Sequence, residues 1–439
     1  MPNIIECSSS ELDYFTEKPY QNILRDGTYV EIKAAEDKTS ILSFVLPASP
    51  AYMDLSKTSI AIRLKVFAVK AGVDTELTET DIVAPVNNFF HSLFYHSIVN
   101  INEEEVENSN NLYAYRAYIT DTLNHGSEVK STFLQNSLYY PDTAGEMDTF
   151  ALRKINTKAE DLLVVQKLNH GFLSRRKILM LGNGEIEVRG IPHFDIFHNG
   201  KFILSQTKMR IDMYLNKPNF CLMGTGEFTF KILSASMILK KVVPNDNIQN
   251  SINIHLEKSF ANFNLNRVIL TSKQIENTGL TQTVEISKGI VPKRVILCFV
   301  DDVASTVGKI DKNPYNLEHF NLTSCQIMEG GQSVSYSKPQ TFDFTKGRIL
   351  DGYWTIFDGI DKPSIGNNIS REDYANGYMF LAYDLTPNGE CEPFNNIARS
   401  GDVSVNLIWS TKSEKPIKLI AYLEYDRTLK MDIYRNIII

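Results

Sequence analysis

The sequence predicts an all-β protein built from sandwich domains, with long loops that carry a few short helices. Apolar residues alternate with a period of two, turn signals separate the alternating segments, and helical patterns are few and short. In the segment 59–67, four apolar residues share one face, whereas Arg63 and Lys65 share the other. This alternation is typical of a half-buried strand.

The same alternation recurs along the whole chain. It is present in the segments 208–215, 229–233, 403–409 and 417–425, which are rich in β-branched and aromatic residues. Asn-Gly or Gly-Gly pairs, which favour tight turns, stand at 183–184, 199–200, 330–331 and 388–389. We therefore expect many short strands joined by turns.

Helical patterns are confined to the connections. The segment 110–123 places several apolar residues near one helical face, and Ser109 is a suitable N-cap. The segments 86–94 and 316–320 predict one or two helical turns each, and 348–357 predicts an aromatic-rich helix. No regular alternation of strand and helix is visible, which disfavours a doubly wound or barrel enzyme fold.

The length of 439 residues predicts two domains, because single cores stop growing at roughly 250–300 residues. A polar segment, 243–250, separates a strand ending near Leu239 from another expected to start near Ile252. We place the boundary there, with an N-terminal domain and arm at 1–246 and a C-terminal domain at 247–439. The segments 85–106 and 314–334 share an order of motifs, which suggests duplication of one domain.

Charge and cysteine content exclude several classes of function. The chain has 45 basic and 52 acidic residues, a net charge of −7, so it lacks the basic footprint of a sequence-specific DNA-binding protein. The basic clusters at 175–177 and 240–241 are short and are interpreted as solvated strand ends. Five scattered cysteines without a CxxC pair favour a reducing compartment. The longest apolar run, 295–300, is far shorter than the ~20 residues of a membrane span, so we expect no membrane insertion.

Motifs for catalysis and metal binding are weak. On a strand, His193 and Asp195 share a face while His198 lies opposite, and no further ligand follows at a metal-site spacing. We interpret this segment as polar positions between core residues. A GxSxG nucleophile motif is missing, and Cys298 and Cys325 lie in apolar segments where a thiol usually packs. We predict no catalytic, cofactor-binding or metal residues and therefore no enzyme.

One alternative is a carbohydrate-binding or carbohydrate-cleaving β-sandwich protein. Glu103, Glu104 and Glu105 supply clustered carboxylates, and the tyrosines of the segment 113–118 have faces on which sugars stack. Solvation of the acidic run and packing of the tyrosines in a core or interface are the favoured interpretations.

Ten segments, collinear from residue 10 to the C-terminus, carry a resemblance to a known family. They are SELDYF (10–15), DLSKT (54–58), PVNNFFHSLF (85–94), SNNLYAYRAYITDTLN (109–124), YYPDTAGEMD (139–148), FCLM (220–223), NPYNLEHFNL (313–322), NISREDYANGYMFLAYDLTP (368–387), AYLEYD (421–426) and RNI (435–437). These segments resemble the major capsid protein of Maverick/Polinton elements and the related adintoviruses.

The resemblance implies a double jelly roll, two eight-stranded sandwiches side by side with short helices in the long loops. It implies a homotrimer that forms a pseudo-hexagonal capsomer and tiles an icosahedral shell around double-stranded DNA. The partners would be neighbouring capsomers, a single-jelly-roll penton protein and minor capsid proteins. DNA would be enclosed without sequence-specific binding, in a virion whose protein is synthesised in the host cytoplasm. The family has no catalytic residues to transfer.

The candidate subunit-interface residues lie in the long loops, because the sheets are occupied with their own cores. They are Tyr113, Tyr115, Arg116, Tyr118, Tyr139, Tyr140, Tyr353, Trp354, Arg371, Glu372, Asp373 and Tyr374. The charged group 371–373 suits either ion pairs between subunits or capping of its own loop, and both alternatives stay open here. We also expect the arm 1–19 to order on a neighbour and the triple-isoleucine tail 437–439 to be tucked against a subunit.

Overall fold

The computed structural model describes residues 20–35, 40–152, 167–276, 279–334, 339–360, 366–387, 389 and 395–438. The predicted N-terminal arm, 1–19, and the last isoleucine lie outside these ranges.

The first half of the chain contributes eleven described strands and five short α-helices. The strands are β1 (Leu24–Lys33), β2 (Ile41–Leu46), β3 (Tyr52–Lys70), β4 (Val73–Thr75), β5 (Ile82–Pro85), β6 (Phe94–Ile101), β7 (Glu104–Asn108), β8 (Glu185–Gly190), β9 (Met209–Leu215), β10 (Leu222–Thr225) and β11 (Phe228–Pro244). The helices are α1 (Phe89–Ser92), α2 (Tyr113–Asn124), α3 (Ser127–Lys130), α4 (His170–Leu181) and α5 (Pro218–Cys221), and 3₁₀ turns cover Phe133–Ser137 and Asp195–His198.

The second half contributes ten described strands and three α-helices. The strands are β12 (Ala261–Ile275), β13 (Thr281–Ser287), β14 (Arg294–Asp301), β15 (Leu322–Glu329), β16 (Gln332–Ser333), β17 (Gln340–Thr341), β18 (Leu381–Asp384), β19 (Val403–Trp409), β20 (Ile417–Met431) and β21 (Ile437–Ile438). The helices are α6 (Asp246–Leu256), α7 (Leu350–Asp358) and α8 (Arg371–Ala375), with a π turn at Val303–Val307 and a 3₁₀ turn at Phe344–Lys346.

The first-half strands form two antiparallel sheets that share one core. One sheet has the order β1-β11-β3, with β8 and β4 both pairing along the far edge of β3, and the other has the order β2-β9-β6-β7. The first strand thus pairs with the last long strand, and the second pairs with β9. This Greek-key order is that of a jelly roll. A small β10-β5 sheet is added beside them.

The second-half strands repeat the same order. One sheet runs β12-β20-β14-β18 and the other β13-β19-β15-β16, again with the outer first strand paired to the last long strand. The motifs that echo each other in sequence occupy comparable places, since β6 and β7 are followed by α2, and β15 and β16 are followed by β17, a 3₁₀ turn and then α7. The protein is a double jelly roll, as predicted.

Most of the predicted strands are confirmed, and three local predictions are wrong. The expected strand near Ile252 is the helix α6, and β12 begins only at Ala261. The segment 316–320 is not helical, because Leu317 instead forms backbone bridges with Gly377 and Tyr378. Ser109 does not cap α2; its hydroxyl accepts a hydrogen bond from the backbone of Ser97 at 2.8 Å.

Each hydrophobic core recruits residues from the other half of the chain. The first core includes Phe263 and Leu429, and the second includes Tyr118 and Phe172. The two jelly rolls are therefore joined by packed side chains as well as by α6. The C-terminal tail is also tied down, because β21 pairs with the end of β20 and Arg435 Nε donates to the Ser205 carbonyl at 2.7 Å.

Candidate functional site

Helix α2 lies between the two jelly rolls and uses its tyrosines to join them. The Tyr118 ring stacks on Tyr315 with centroids 4.1 Å apart and an interplanar angle of 12°. The Tyr115 hydroxyl donates to the Pro314 carbonyl at 2.9 Å, and the hydroxyl of Tyr315 lies 2.6 Å from that of Ser92. Buried tyrosines need such partners for their polar ends, so these contacts also fix the relative position of the two sandwiches.

The carboxylate of Asp142 is the centre of a second junction, which we call the Asp142 clamp (Asp142, Asn169, Arg175 and Asn313). Arg175 Nη2 donates to Oδ1 at 2.6 Å, and Asn169 Nδ2 donates to the same oxygen at 2.8 Å. Asn313, from the second half, donates to Oδ2 at 2.9 Å. The Arg175 side chain is 0% exposed and its Nε also donates to the Pro85 carbonyl at 2.7 Å.

The interpretation of the basic cluster 175–177 as a solvated strand end is wrong for Arg175, which is buried in the Asp142 clamp. Arg175 lies in the helix α4, whose N-cap is the Asn169 side chain, and its charge is neutralised by Asp142. A buried guanidinium survives only when its donors are satisfied and its charge is paired. The segments 139–148 and 313–322, which carry the family resemblance, thus meet at the junction of the two sandwiches.

A buried ion cluster lies at the start of α2. Arg116 Nη2 donates to Asp195 Oδ1 at 2.6 Å, Nη1 donates to Glu107, and the backbone N–H of Asp195 donates to Glu107 Oε2 at 2.8 Å. Burial and the nearby Asp195 carboxylate raise the pKa of Glu107 above its ordinary value, against the attraction of Arg116. Two carboxylates thus share one cation away from solvent.

Histidines and a carboxylate gather beside this ion cluster. His193 Nε2 lies 3.0 Å from Asp121 Oδ1, and His91 Nε2 lies 3.9 Å from Asp121 Oδ2. Burial raises the pKa of Asp121, but the neighbouring His193 outweighs it and holds that pKa well below its usual range. The prediction that His193 and Asp195 share one face of a strand is wrong, because 195–198 is a 3₁₀ turn and the Asp195 carboxylate pairs with Arg116.

Half of the candidate interface residues are enclosed within the single chain. The buried side chains are Tyr113, Tyr115, Arg116, Tyr118, Tyr139 and Tyr374. Within the single chain they pack in the cores, and the Tyr139 hydroxyl, for example, lies 3.1 Å from the hydroxyl of Thr122 on α2.

The other six candidates lie at or near the surface. Trp354 is 60% exposed, Arg371 and Glu372 are exposed, and Tyr140, Tyr353 and Asp373 are half-buried. Within the chain, Asp373 and Ser370 form a capping box for α8, and Arg371 Nη2 donates to the Gly347 carbonyl at 2.9 Å. Their role in a subunit contact stays a prediction.

The acidic run behaves as a solvated turn. Glu103, Glu104 and Glu105 are exposed where β6 turns into β7, while Glu107 is drawn inside by Arg116. Cys298 and Cys325 are buried in strands, and burial raises the pKa of both thiols. Among the described residues, no helix has the length and apolarity to cross a membrane.

The sequence did not identify four residues of these buried clusters, which are Asp121, His91, Asp142 and Asn313. Each is an ordinary polar residue in its own segment, and its partners stand tens to hundreds of positions away. The many polar residues of the segment 85–148 could have indicated buried polar contacts, but composition does not specify which residues contact each other.

No family model matches this chain. An uncharacterized protein of Caenorhabditis elegans is 22% identical over 438 residues, which cover 94% of this chain and 96% of that protein.

Solved structures of viral capsids share the fold. A chain in the cryo-EM structure of the Sputnik virophage matches with a TM-score of 0.66 at 12% identity, covering 99% of this chain and 92% of that one. The mavirus major capsid protein matches with a TM-score of 0.52 at 10% identity, covering 98% and 96%. The Faustovirus major capsid protein matches with a TM-score of 0.51 at 10% identity, covering 94% and 92%.

Proposed function

We propose that the chain is a major capsid protein of the Maverick/Polinton and adintovirus type. The observation that carries the proposal is the match of both jelly rolls together, over 99% of the chain, to a chain of a virophage particle. A single jelly roll occurs in proteins of many functions. Two jelly rolls side by side form a subunit that supplies two of the six sides of a hexagon, so three such subunits complete it. The resembling segments 139–148 and 313–322 add support, because they build the junction that this arrangement requires.

We propose the division into domains 1–246 and 247–439. Its support is the membership of the sheets, because the described strands from β1 to β11 pair only with one another, and those from β12 to β21 pair only with one another. Helix α6 begins at Asp246 and connects the two.

Three copies would close into a ring through one heterologous contact repeated by rotation. An obligate contact of this kind buries roughly 2,000 Å² or more and is centred on aromatic or arginine side chains. Trp354 on α7 has this character, with Leu350 one helical turn away and also exposed. Arg371 and Glu372 on α8 supply charges for the rim of the contact.

The capsomers would contact one another, a penton protein and minor capsid proteins in an icosahedral shell around double-stranded DNA. The net charge of −7 suits enclosure of DNA without sequence-specific binding. The protein would be synthesised in the host cytoplasm and reside in the virion. No observation favours the carbohydrate alternative, because the tyrosines on which it depends are buried.

Light scattering on the size-exclusion peak tests the proposal. We expect a trimer of about 149 kDa, three times the chain mass of 49.8 kDa. Trp354→Glu should lower the mass to that of a monomer with the far-UV spectrum unchanged. Leu181→Glu is the matched control, since Leu181 is 86% exposed at the end of α4, and it should remain trimeric. A folded wild-type chain that is monomeric at micromolar concentration contradicts the proposal.

A further inference from the structure

Three residues from separate elements converge on one buried point in the first jelly roll. His91 comes from α1, Asp121 from α2 and His193 from the segment after β8. The nitrogen atoms and carboxylate oxygens that they offer all lie within 4.8 Å of one another. All three side chains are buried, so an ion held between them is largely surrounded by protein.

The separations suit a small divalent ion. Zinc lies about 2.0–2.2 Å from imidazole nitrogen or carboxylate oxygen, so adjacent ligand atoms of a tetrahedral site are about 3.3 Å apart. His193 Nε2 lies 3.0 Å from Asp121 Oδ1 and His91 Nε2 lies 3.9 Å from Asp121 Oδ2, on either side of this value. The ligand atoms of the three residues all lie within 4.8 Å of one another, so no pair needs to close by more than about 1.5 Å to reach ligand distance.

Neighbouring hydrogen bonds orient these side chains. The Tyr113 hydroxyl lies 3.2 Å from His91 Nδ1, which turns Nε2 of the same ring toward Asp121. The same hydroxyl accepts from the backbone N–H of His193 at 3.2 Å, and Asn88 Nδ2 donates to Asp121 Oδ2 at 2.6 Å. Metal-binding histidines and carboxylates are held by such outer bonds in proteins.

A cavity connects the cluster to solvent. It has a volume of about 380 Å³, and His193, His125 and His198 are among its lining residues. His125 Nε2 lies 3.9 Å from Asp121 Oδ1, and its side chain is 37% exposed. His125 therefore stands at the mouth of the cluster, close enough to Asp121 to be the candidate for a fourth ligand.

We propose that His91, Asp121 and His193 form a structural Zn²⁺ site, with His125 as the fourth ligand. Two imidazoles and one carboxylate without a thiolate select a borderline divalent transition metal over calcium or magnesium, which prefer oxygen ligands. The ion links α1, α2 and the segment before β9, so its effect is to stabilise the first jelly roll. This role does not depend on assembly into a capsid.

Metal analysis of the purified full-length chain tests the site. After removal of metals with a chelator and dialysis against ZnCl₂, we expect one zinc per chain by mass spectrometry. Zinc should raise the melting temperature by about 5 °C. Asp121→Asn and His193→Gln should each reduce the bound zinc to near zero, and His125→Gln should weaken the affinity about tenfold. His170→Gln, which removes a histidine on α4 outside the cluster, is the matched control and should keep one zinc.

A measurement on the wild-type chain covers the case in which the variants do not fold. Cobalt(II) in place of zinc should give the visible absorption bands of a tetrahedral ion, and one equivalent of zinc should abolish them. Less than about 0.1 zinc per chain after dialysis overturns the proposal, as does octahedral cobalt absorption. Full zinc binding by a folded Asp121→Asn variant also overturns it.

Discussion

Replacement of Asp142 by alanine should uncouple the two jelly rolls. The carboxylate accepts from Arg175, Asn169 and Asn313 at 2.6, 2.8 and 2.9 Å, and the first two donors belong to the first half while Asn313 belongs to the second. Asp142→Ala leaves a fully buried guanidinium without its counter-charge. It also removes the stronger acceptor of two buried amides, each of which keeps only a longer hydrogen bond to the Met147 carbonyl, at 3.3 Å from Asn169 and 3.4 Å from Asn313.

The expected magnitude follows from these losses. Removal of one partner of a buried ion pair costs about 3–5 kcal/mol. Each buried amide left unsatisfied costs about 1–3 kcal/mol, but losses within one network are not additive. We expect about 5 kcal/mol for Asp142→Ala. Asp142→Asn keeps the shape and one acceptor oxygen, so it should cost about 3 kcal/mol.

Urea unfolding followed by circular dichroism measures both values. Because the clamp joins the halves, Asp142→Ala should also broaden the transition or split it into two steps, with a smaller slope on urea. Glu104→Ala removes an exposed carboxylate on β7 and should change the stability by no more than about 0.5 kcal/mol. A cost below about 1 kcal/mol for Asp142→Ala, with a single sharp transition, would refute the role of the clamp.

Three further outcomes are expected. Burial lowers the pKa of His91 from its ordinary 6.5 to about 3. Below pH 6.5, His91 is therefore protonated in the unfolded chain but stays neutral in the folded chain, so stability falls as the pH falls. The metal-free protein should therefore lose about 2 kcal/mol between pH 7.5 and pH 5 through this residue, and His91→Phe should flatten that part of the curve in urea titrations. Gly171→Ala should destabilise by about 2 kcal/mol despite the better helix propensity of alanine, because its methyl group overlaps the Pro141 carbonyl; a rise in the melting temperature would contradict this. Tyr315→Phe removes the 2.6 Å contact with Ser92 and should cost about 1 kcal/mol in thermal unfolding, with the ring stacking kept; an unchanged midpoint would show that the hydroxyl is dispensable.

The strands were predictable because burial in a sheet imposes a period of two. In β3 the alternating residues Ile60, Ile62, Leu64 and Val66 are all buried, as the pattern 59–67 predicts. This alternation lies within a single segment of sequence, so a strand can be predicted without knowledge of its partners or of the strand order. The jelly-roll order itself came from the resemblance, because pairings such as β1 with β11 join residues about 210 positions apart.

The junction and the histidine cluster were not predictable from local pattern. Arg175 belongs to a run of three basic residues, which normally faces solvent. Its burial depends on the carboxylate 33 positions earlier and on the carbonyls of Pro85 and Tyr140. The helix α6 was missed for a related reason. Its asparagines are typical of loops, and all but its last residue are partly or fully exposed.

Cryo-electron microscopy of the purified assembly tests whether three copies of this chain form a pseudo-hexagonal capsomer. We expect a three-copy ring with a six-cornered outline, in which each copy contributes two jelly rolls and α7 lies in the contact between copies. A monomer, a dimer, or a ring in which Trp354 faces solvent would contradict it.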